Sequence, residues 1–323
     1  MKSIVYYLET GSHDPSYNLA FEEYVMAHRK NGDYLLLWQN DNTVVIGQNQ
    51  NIEAEINRDF VNNHGIHVIR RMTGGGAVYH DLGNLNYSFI TDAGDVTNLT
   101  MARFTDPVVE ALRGLGLAAE ASGRNDILID GYKVSGTAQR KAEGRILHHG
   151  TLLFDSNLDM MSGALQADPE KFCSKGIRSV RGRVRNIRDF LRSDMTLDEF
   201  WNYLKIALTG DGFVTVTMSE EELTQIQTLK SNKYETWEWN VGASPKYEMK
   251  ERRRFAGGTL EVQMTVKDGY IEGIAFCGDF LSLRPSNEVS QALIGCPLQR
   301  KSVSAALVNL SIEQYFGTIT VEE

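Results

Sequence analysis

Three consecutive glycines, Gly74, Gly75 and Gly76, interrupt strand-like sequence in "RRMTGGGAVYHDLGN", Arg70 to Asn84. A glycine inside a regular element costs about 0.5–1 kcal/mol relative to alanine, so three in a row demand a local reason. A Walker A loop would need Lys-Ser or Lys-Thr after its last glycine, and here Ala77-Val78 follow. A dinucleotide fingerprint spaces its glycines G-x-G-x-x-G ahead of a helix, whereas a strand-like segment comes next here. The general physics still holds: bare main-chain N–H groups can approach a phosphate or another flat anion closely. An upstream arginine would add charge-assisted donors. In an extended segment Arg70 and Arg71 point to opposite faces, so at most one of them faces a shared pocket directly. A glycine bulge or a crowded sheet crossing explains the same residues without a ligand, and the motif alone leaves both readings open.

The 323 residues, 42% hydrophobic and 23% charged, suffice for two domains or one large domain with an appendage. "SIVYYLE" reads as a strand. "DPSYNLAFEEYVMAHRK" reads as a helix with Asp14 as N-cap, Pro15 at its first position and Leu19, Tyr24, Val25 and Met26 in its buried stripe. "YLLLWQN" and "TVVIGQNQ", separated by Asn40-Asp41-Asn42, suggest adjacent strands. A polar helix near Glu53–Asn63 leads to the strand "IHVIRR", and "NLNYSFIT" alternates as a strand should. "MARFTDPVVEALRGLG" is a helix closed by Gly114 or Gly116. "DILIDGYKVSGTAQR" and "GRILHHGTLLF" form a β-rich block whose first turn is centred on Asp130-Gly131. Helices are expected near Leu158–Gln166, Leu197–Leu208 and Glu220–Leu229. The texture changes near Pro245. "GGTLEVQMTVKDGYIEGIAFCGDF" predicts a hairpin turning at Asp268-Gly269, with Leu260, Val262, Met264 and Val266 on one face, and helical stretches follow. Strands and helices mix without strict βαβ alternation, so the expected class is α+β, divided into residues 1–245 and 246–323.

A net charge of −9 argues against a general nucleic-acid binder. No apolar run approaches a membrane span, and "MKSIVYYLETGSHD" resembles neither a signal nor a transit peptide. The expected compartment is the cytoplasm. Three widely separated cysteines, Cys173, Cys277 and Cys296, offer neither a disulfide framework nor a paired-thiol metal site. Lys133 follows the Asp130-Gly131 turn, where a lysine is ordinarily a surface group; the alternative is a fixed cation at the mouth of a pocket. Asn125 and Asp126 could supply polar or metal-directed oxygens. In "HHGTLLF", His148 and His149 are adjacent on a strand and cannot easily chelate one metal together; one faces a site while the other is packed or solvated. Lys171, Lys175, Arg178, Arg181, Arg183, Arg185, Arg188 and Arg192 crowd "KFCSKGIRSVRGRVRNIRDFLR", a cationic loop suited to a phosphate or an acidic partner.

Together, "RRMTGGGAVYHDLGNLNYSF", "GRNDI", "KVSGTAQR" and "HHGTLLF", in that order, resemble the lipoate–protein ligases, which share a catalytic-domain superfamily with the biotin–protein ligases. "DPSYNLAFEEY", "NTVVIGQNQN", "KGIRSVRGRVRN" and "WEWNVG" extend the resemblance over nearly the whole chain, including a C-terminal part like the accessory domain of the full-length ligases. It implies a mixed β-sheet catalytic domain flanked by helices, with a small C-terminal α+β domain. The implied reaction has two steps: lipoate and MgATP give lipoyl-AMP and pyrophosphate, and the lipoyl group then passes to a lysine of an acceptor. Implied acceptors are the lipoyl domains of 2-oxoacid dehydrogenase complexes and the glycine-cleavage H protein.

By that resemblance, Lys133 binds both the lipoyl carboxylate oxygen and the α-phosphate. Arg71, the run Gly74, Gly75, Gly76, Ala77, Val78 and Tyr79, and Asn84 and Thr151 contact ATP. Arg70 and His149 lie around the carboxyl end of lipoate, and Asn125 and Asp126 orient Mg²⁺ or the phosphate. The basic loop around Lys175–Arg185 corresponds to the adenylate-covering loop of the family and is expected to move. The lipoyl chain needs an apolar slot whose residues the sequence does not name. Rival readings are a transferase on the same fold using Cys173 as acyl carrier, a biotin ligase, which the Arg-Arg-x-x-Gly-Gly-Gly-Ala-Val pattern disfavours, and a non-catalytic binding module. Arg252-Arg253-Arg254 form a basic patch suited to an acidic acceptor.

Overall fold

The computed structural model describes residues 4–50, 52–94, 99–166, 183–210, 212–240, 249–267 and 269–321. Its largest element is an eight-stranded mixed sheet. Strand β1 (Val5–Glu9) lies parallel to β2 (Asp33–Trp38). The edge strand β11 (Phe213–Thr215) also pairs parallel with β1. The antiparallel meander β6 (Asn84–Asp92), β10 (Arg145–Leu153), β9 (Tyr132–Ala142), β8 (Asp126–Ile129) and β7 (Ala119–Ser122) completes the sheet beyond β2.

Both faces of this sheet are covered, and β2 shows the pleat at work. Leu35 and Leu37 pack on one side with Tyr7, Tyr87, Val108, Leu112, Phe200 and Leu204. Leu36 joins Leu8, Ile90, Leu147, Leu19, Phe21 and Val25 on the other, as a period of two requires. Helix α4 (Met101–Gly114) and helix α6 (Leu197–Thr209) cover the first face. Helix α1 (Pro15–His28) covers the second. Its Asp14 cap accepts from the N–H groups of Ser16 (2.9 Å) and Tyr17 (3.4 Å), ahead of Pro15 as expected. Ile226 and Tyr234, from helix α7 (Glu220–Leu229) and the turn after it, close over the outside of α1. That second cover explains why the buried part of α1 is wider than one amphipathic stripe. The Asp130-Gly131 turn has φ of +49° and +79°, the left-handed pair of a tight hairpin.

Strands β3 (Thr43–Ile46), β4 (His67–Arg70) and β5 (Val78–His80) form a separate small sheet with β3 in the centre. This corrects the expectation that β2 and β3 are neighbours. Both edges of β2 are already taken, by β1 and β6, so the chain turns through Asn40–Asn42 into a different layer. The polar helix expected near 53–63 is two short ones, α2 (Ile52–Glu55) and α3 (Arg58–Asn63). They pack on the small sheet with α5 (Leu158–Ala164).

The C-terminal unit is a three-stranded antiparallel sheet, β12 (Met249–Phe255), β13 (Gly258–Lys267) and β14 (Tyr270–Gly278). Helices α8 (Asn287–Leu293), α9 (Arg300–Leu307) and α10 (Glu313–Phe316) complete its core. Leu260, Val262 and Met264 face that core, while a bulge between Thr265 and Val266 resets the alternation before the turn.

Segment 278–283 ties this unit to the rest of the chain. Gly278 N–H donates to Asn49 O (2.7 Å), Gly75 N–H to Phe280 O (3.0 Å) and Lys141 N–H to Leu283 O (2.8 Å). Gly74 has no room for a side chain here: a Cβ would lie 2.7 Å from Phe280 O and 3.2 Å from Ser282 N. Both are backbone atoms, so Gly74→Ala must push the 280–282 segment away. We expect a loss of about 1–3 kcal/mol, read as a lower denaturant midpoint.

Candidate active site

A cleft runs between the glycine loop and strands β9 and β10. Its inner part lies between Leu19, Trp38, Val45, Val78 and Ala138 and is open to solvent. Its outer part opens toward Arg124, Asp126, Arg183 and Arg254. Gly76, Ala77, Val78, Asn125, Lys133, Gly136 and Thr151 line both parts. An apolar slot therefore meets a charged chamber, lined by Glu55, Asp126 and Asp279 beside Arg124, Arg183 and Arg254, and Lys133 stands at their junction.

Lys133 Nζ pairs with Asp126 Oδ1 at 2.7 Å, and about a third of the side chain stays exposed. Its backbone is fixed by Arg183 O (2.7 Å) and by the Arg185 N–H (3.1 Å). The ammonium lies over Gly136, where a Cβ would be 3.1 Å from Nζ. Lysine and bare glycine thus form one device, and "KVSG" places them three residues apart on a single strand.

The glycine loop is held from below by Arg71. Its Nη2 donates to Gly74 O (2.6 Å) and Gly76 O (2.8 Å), Nη1 to Val45 O (3.2 Å) and Nε to Thr73 Oγ1 (2.9 Å). Burial pulls its pKa down to about 10, with the neighbouring Glu22 carboxylate opposing the shift, so the guanidinium stays charged near neutrality. Gly75 has φ +89°, a conformation costly for any residue with a Cβ. The sequence left a ligand loop and a crowded crossing as alternatives, and the glycines divide between them. Gly74 is crowded under the C-terminal unit, Gly75 turns the chain, and Gly76 lines the cleft.

Other expected site residues are placed differently. Arg70 turns away from the cleft: Nη1 donates to the carbonyls of Gly47, Gln48 and Gln50 at 2.8–3.0 Å, and Nη2 donates to Asn240 O at 3.1 Å. Opposite-face alternation along β4 and the loop after it leaves only Arg71 toward the cleft. Asn84 is buried at the start of β6 and donates to Asn86 Oδ1 (2.9 Å); it does not line the cleft. Tyr79 borders the outer chamber, but its hydroxyl donates to Asn42 Oδ1 (3.0 Å). Thr151 lies on the cleft wall, and its hydroxyl accepts from Gly136 N–H (3.3 Å).

The adjacent histidines separate as a strand demands. His149 faces the cleft; its Nδ1 meets Glu22 Oε1 and Oε2 (2.9 and 3.0 Å) and its Nε2 meets Thr73 Oγ1 (2.7 Å). His148 is fully buried, stacked on Phe104 at 5.0 Å and held at Nδ1 by Gln139 Nε2 (3.1 Å). His80, which sequence reading passed over, lines the inner slot. Glu22 was also missed; its only sequence signal is a carboxylate between the buried positions Leu19 and Val25 of α1. Among the described residues no group of three or more His, Cys, Asp or Glu side chains could hold a metal ion. Neither Cys277 nor Cys296 lines the cleft. Cys173 and positions 175–182 of the basic loop lie outside the described residues. No helix among the described residues is long and apolar enough to cross a membrane.

The mixed sheet with its cleft and the appended three-stranded unit define a protein of the lipoate-ligase type. Residues 14–209 match the lipoyl protein ligase A/B catalytic domain, and residues 244–323 match the bacterial lipoate protein ligase C-terminus. The chain belongs to the lipoate–protein ligase family. It is 43% identical to lipoate-protein ligase LplJ of Bacillus subtilis (strain 168), over 96% of this chain and 95% of that one. Among solved structures, a bipartite lipoate protein ligase of Thermoplasma acidophilum, studied with its E2 lipoyl domain, is 35% identical with a TM-score of 0.66, covering 77% of this chain and all of its own. A lipoate-protein ligase A bound with ATP is 32% identical with a TM-score of 0.66, covering 75% of this chain and 99% of its own.

Proposed function

We propose that this chain activates free lipoate with ATP and transfers the lipoyl group to a lysine of a lipoyl domain. The observation that carries the reading is Lys133 Nζ, set between an apolar slot and a chamber bordered by Arg124, Arg183 and Arg254. In the first step a lipoate carboxylate oxygen attacks the α-phosphorus, the new P–O bond forms and pyrophosphate leaves. Two anions must meet, so the site contributes mainly position and positive charge. Lys133 would neutralise both reacting oxygens. The backbone of residues 76–78, shaped from below by Arg71, would flank the adenylate. The slot of Leu19, Trp38, Val45, Val78 and Ala138 would hold the acyl chain away from water. In the second step the acceptor's amine nitrogen attacks the acyl carbon and AMP departs with the electron pair of the broken bond.

Mg²⁺ fits this site as a partner of the phosphates, not as an ion in a protein cage. Asp126 offers one carboxylate to the outer chamber beside Asn125, and Mg²⁺ commonly takes one or two carboxylates plus phosphate oxygens and water. It would supply charge neutralisation on the leaving pyrophosphate. Asp126 would then exchange part of its pairing with Lys133 for the ion.

The lipoyl domains of 2-oxoacid dehydrogenases and the glycine-cleavage H protein are the acceptors in this reading, the cytoplasm is its compartment, and the catalytic and accessory domains divide near residue 245. The test is a transfer assay with purified protein, unmodified lipoyl domain, free lipoate and MgATP. ATP-dependent modification that survives Cys173→Ser is the expected result. If free lipoate is inert, an acylated donor protein works and Cys173→Ser abolishes transfer, the chain is a cysteine-dependent acyltransferase instead.

A further inference from the structure

We infer that Glu22 is the positioning residue of the site, its buried carboxylate setting both the wall of the apolar slot and the shape of the glycine loop. The roles of slot and loop rest on the function proposed above; the hydrogen-bond network does not. Glu22 lies inside α1 and is almost completely buried. A carboxylate only accepts, so both of its neighbours must donate to it. On one side Ser88 Oγ donates to Oε1 (2.5 Å) and in turn accepts from Trp38 Nε1 (2.9 Å). That indole lines the slot. On the other side His149 Nδ1 meets both carboxylate oxygens, and His149 Nε2 meets the Thr73 hydroxyl.

In the neutral imidazole this leaves one consistent assignment. Nδ1 carries the proton, Nε2 accepts from Thr73, and Thr73 Oγ1 accepts from Arg71 Nε. Arg71 then grips Gly74 O and Gly76 O. One carboxylate therefore lies at the root of two branches, one ending at Trp38 and the other at the loop beside Lys133. Burying a charge is costly unless it is paired and hydrogen-bonded, and the other buried positions of α1 are mostly apolar, among them Leu19, Phe21 and Val25. What Glu22 supplies instead is a fixed polarity for the whole chain of donors and acceptors, and a negative charge near the buried Arg71 cation.

Glu22→Gln keeps the size and removes the acceptor-only character. With ¹⁵N-labelled histidine, the wild type should show the His149 proton on Nδ1, and Glu22→Gln should move it to Nε2. Lipoate-dependent exchange between pyrophosphate and ATP should fall on the order of a hundredfold in kcat, the cost of an ångström-scale misplacement of reacting groups, while the unfolding midpoint stays within a few degrees. The branches should separate. Thr73→Val lowers kcat with the lipoate KM unchanged, whereas Ser88→Ala raises the lipoate KM roughly tenfold, about the worth of one hydrogen bond, with kcat kept. A Glu22→Gln protein with wild-type tautomer and wild-type rate overturns the inference. So does a rate loss that merely tracks loss of folded protein. Should Glu22→Gln not fold, the two branch variants decide, and the absence of the kcat-against-KM split rejects the idea. A wild type without exchange would defeat the ligase reading alone, because the tautomer is measured without substrate.

Discussion

Lys133→Ala should slow adenylate formation severely while leaving the fold intact. Removing one electrostatic contact to developing charge costs roughly 3–4 kcal/mol in the transition state, a drop on the order of 10²–10³ in lipoate-dependent pyrophosphate exchange. Stability should change little. The lysine and its partner Asp126 are 31% and 23% exposed, where an ion pair contributes about 0–1 kcal/mol. The strand contacts to Arg183 and Arg185 are main-chain and survive truncation. Lys133→Arg should recover only a small part of the rate, because a planar fork does not replace a compact ammonium over Gly136. A truncated protein that exchanges at the wild-type rate would remove Lys133 from the chemistry.

The second large effect is loss of stability in mild acid. Burial pushes His80 and His148 down to about 3, and the neighbouring Arg71 guanidinium adds to the shift at His80. The unfolded chain protonates them near 6.5. Between those values the unfolded state binds more protons, so stability rises with pH and is lost as pH falls. Each histidine contributes a slope that reaches about 1.4 kcal/mol per pH unit in that window, or roughly 3 kcal/mol for both between pH 6.5 and 5. Urea midpoints should fall steeply from pH 7 to 5, and His148→Gln should remove about half the slope. Midpoints independent of pH over that range would mean that both rings ionise inside the fold.

Local chemistry was legible in the sequence. Asp14-Pro15 marked a helix start, Asp130-Gly131 marked a hairpin, and period two separated His148 from His149 and Arg70 from Arg71. Each of those follows from a few adjacent residues. Illegible features depended on segments far apart. Nothing near Gly74 reveals that Phe280 O packs on it. Nothing near Arg70 announces the carbonyls of Gly47, Gln48 and Gln50 that take its guanidinium away from the cleft. The separation of β2 from β3 turns on both edges of β2 being occupied by remote strands. Nothing near Glu22 announces its burial, because Ser88 and His149, which take its carboxylate, stand on β6 and β10, 66 and 127 residues further along the chain.

The parallel pairing of Val5–Tyr7 with Phe213–Thr215 has a consequence for the order of assembly. A pairing of such long sequence separation carries a large loop-closure cost before it returns any contact energy. During synthesis the first strand can find β2 early, but its outer edge stays uncovered until more than two hundred further residues have emerged. For that interval the nascent chain presents an open strand edge of the kind that invites pairing with other chains. Refolding should accordingly show a slow late phase set by closure of this edge, and chains truncated before residue 213 should aggregate more readily than the full-length chain.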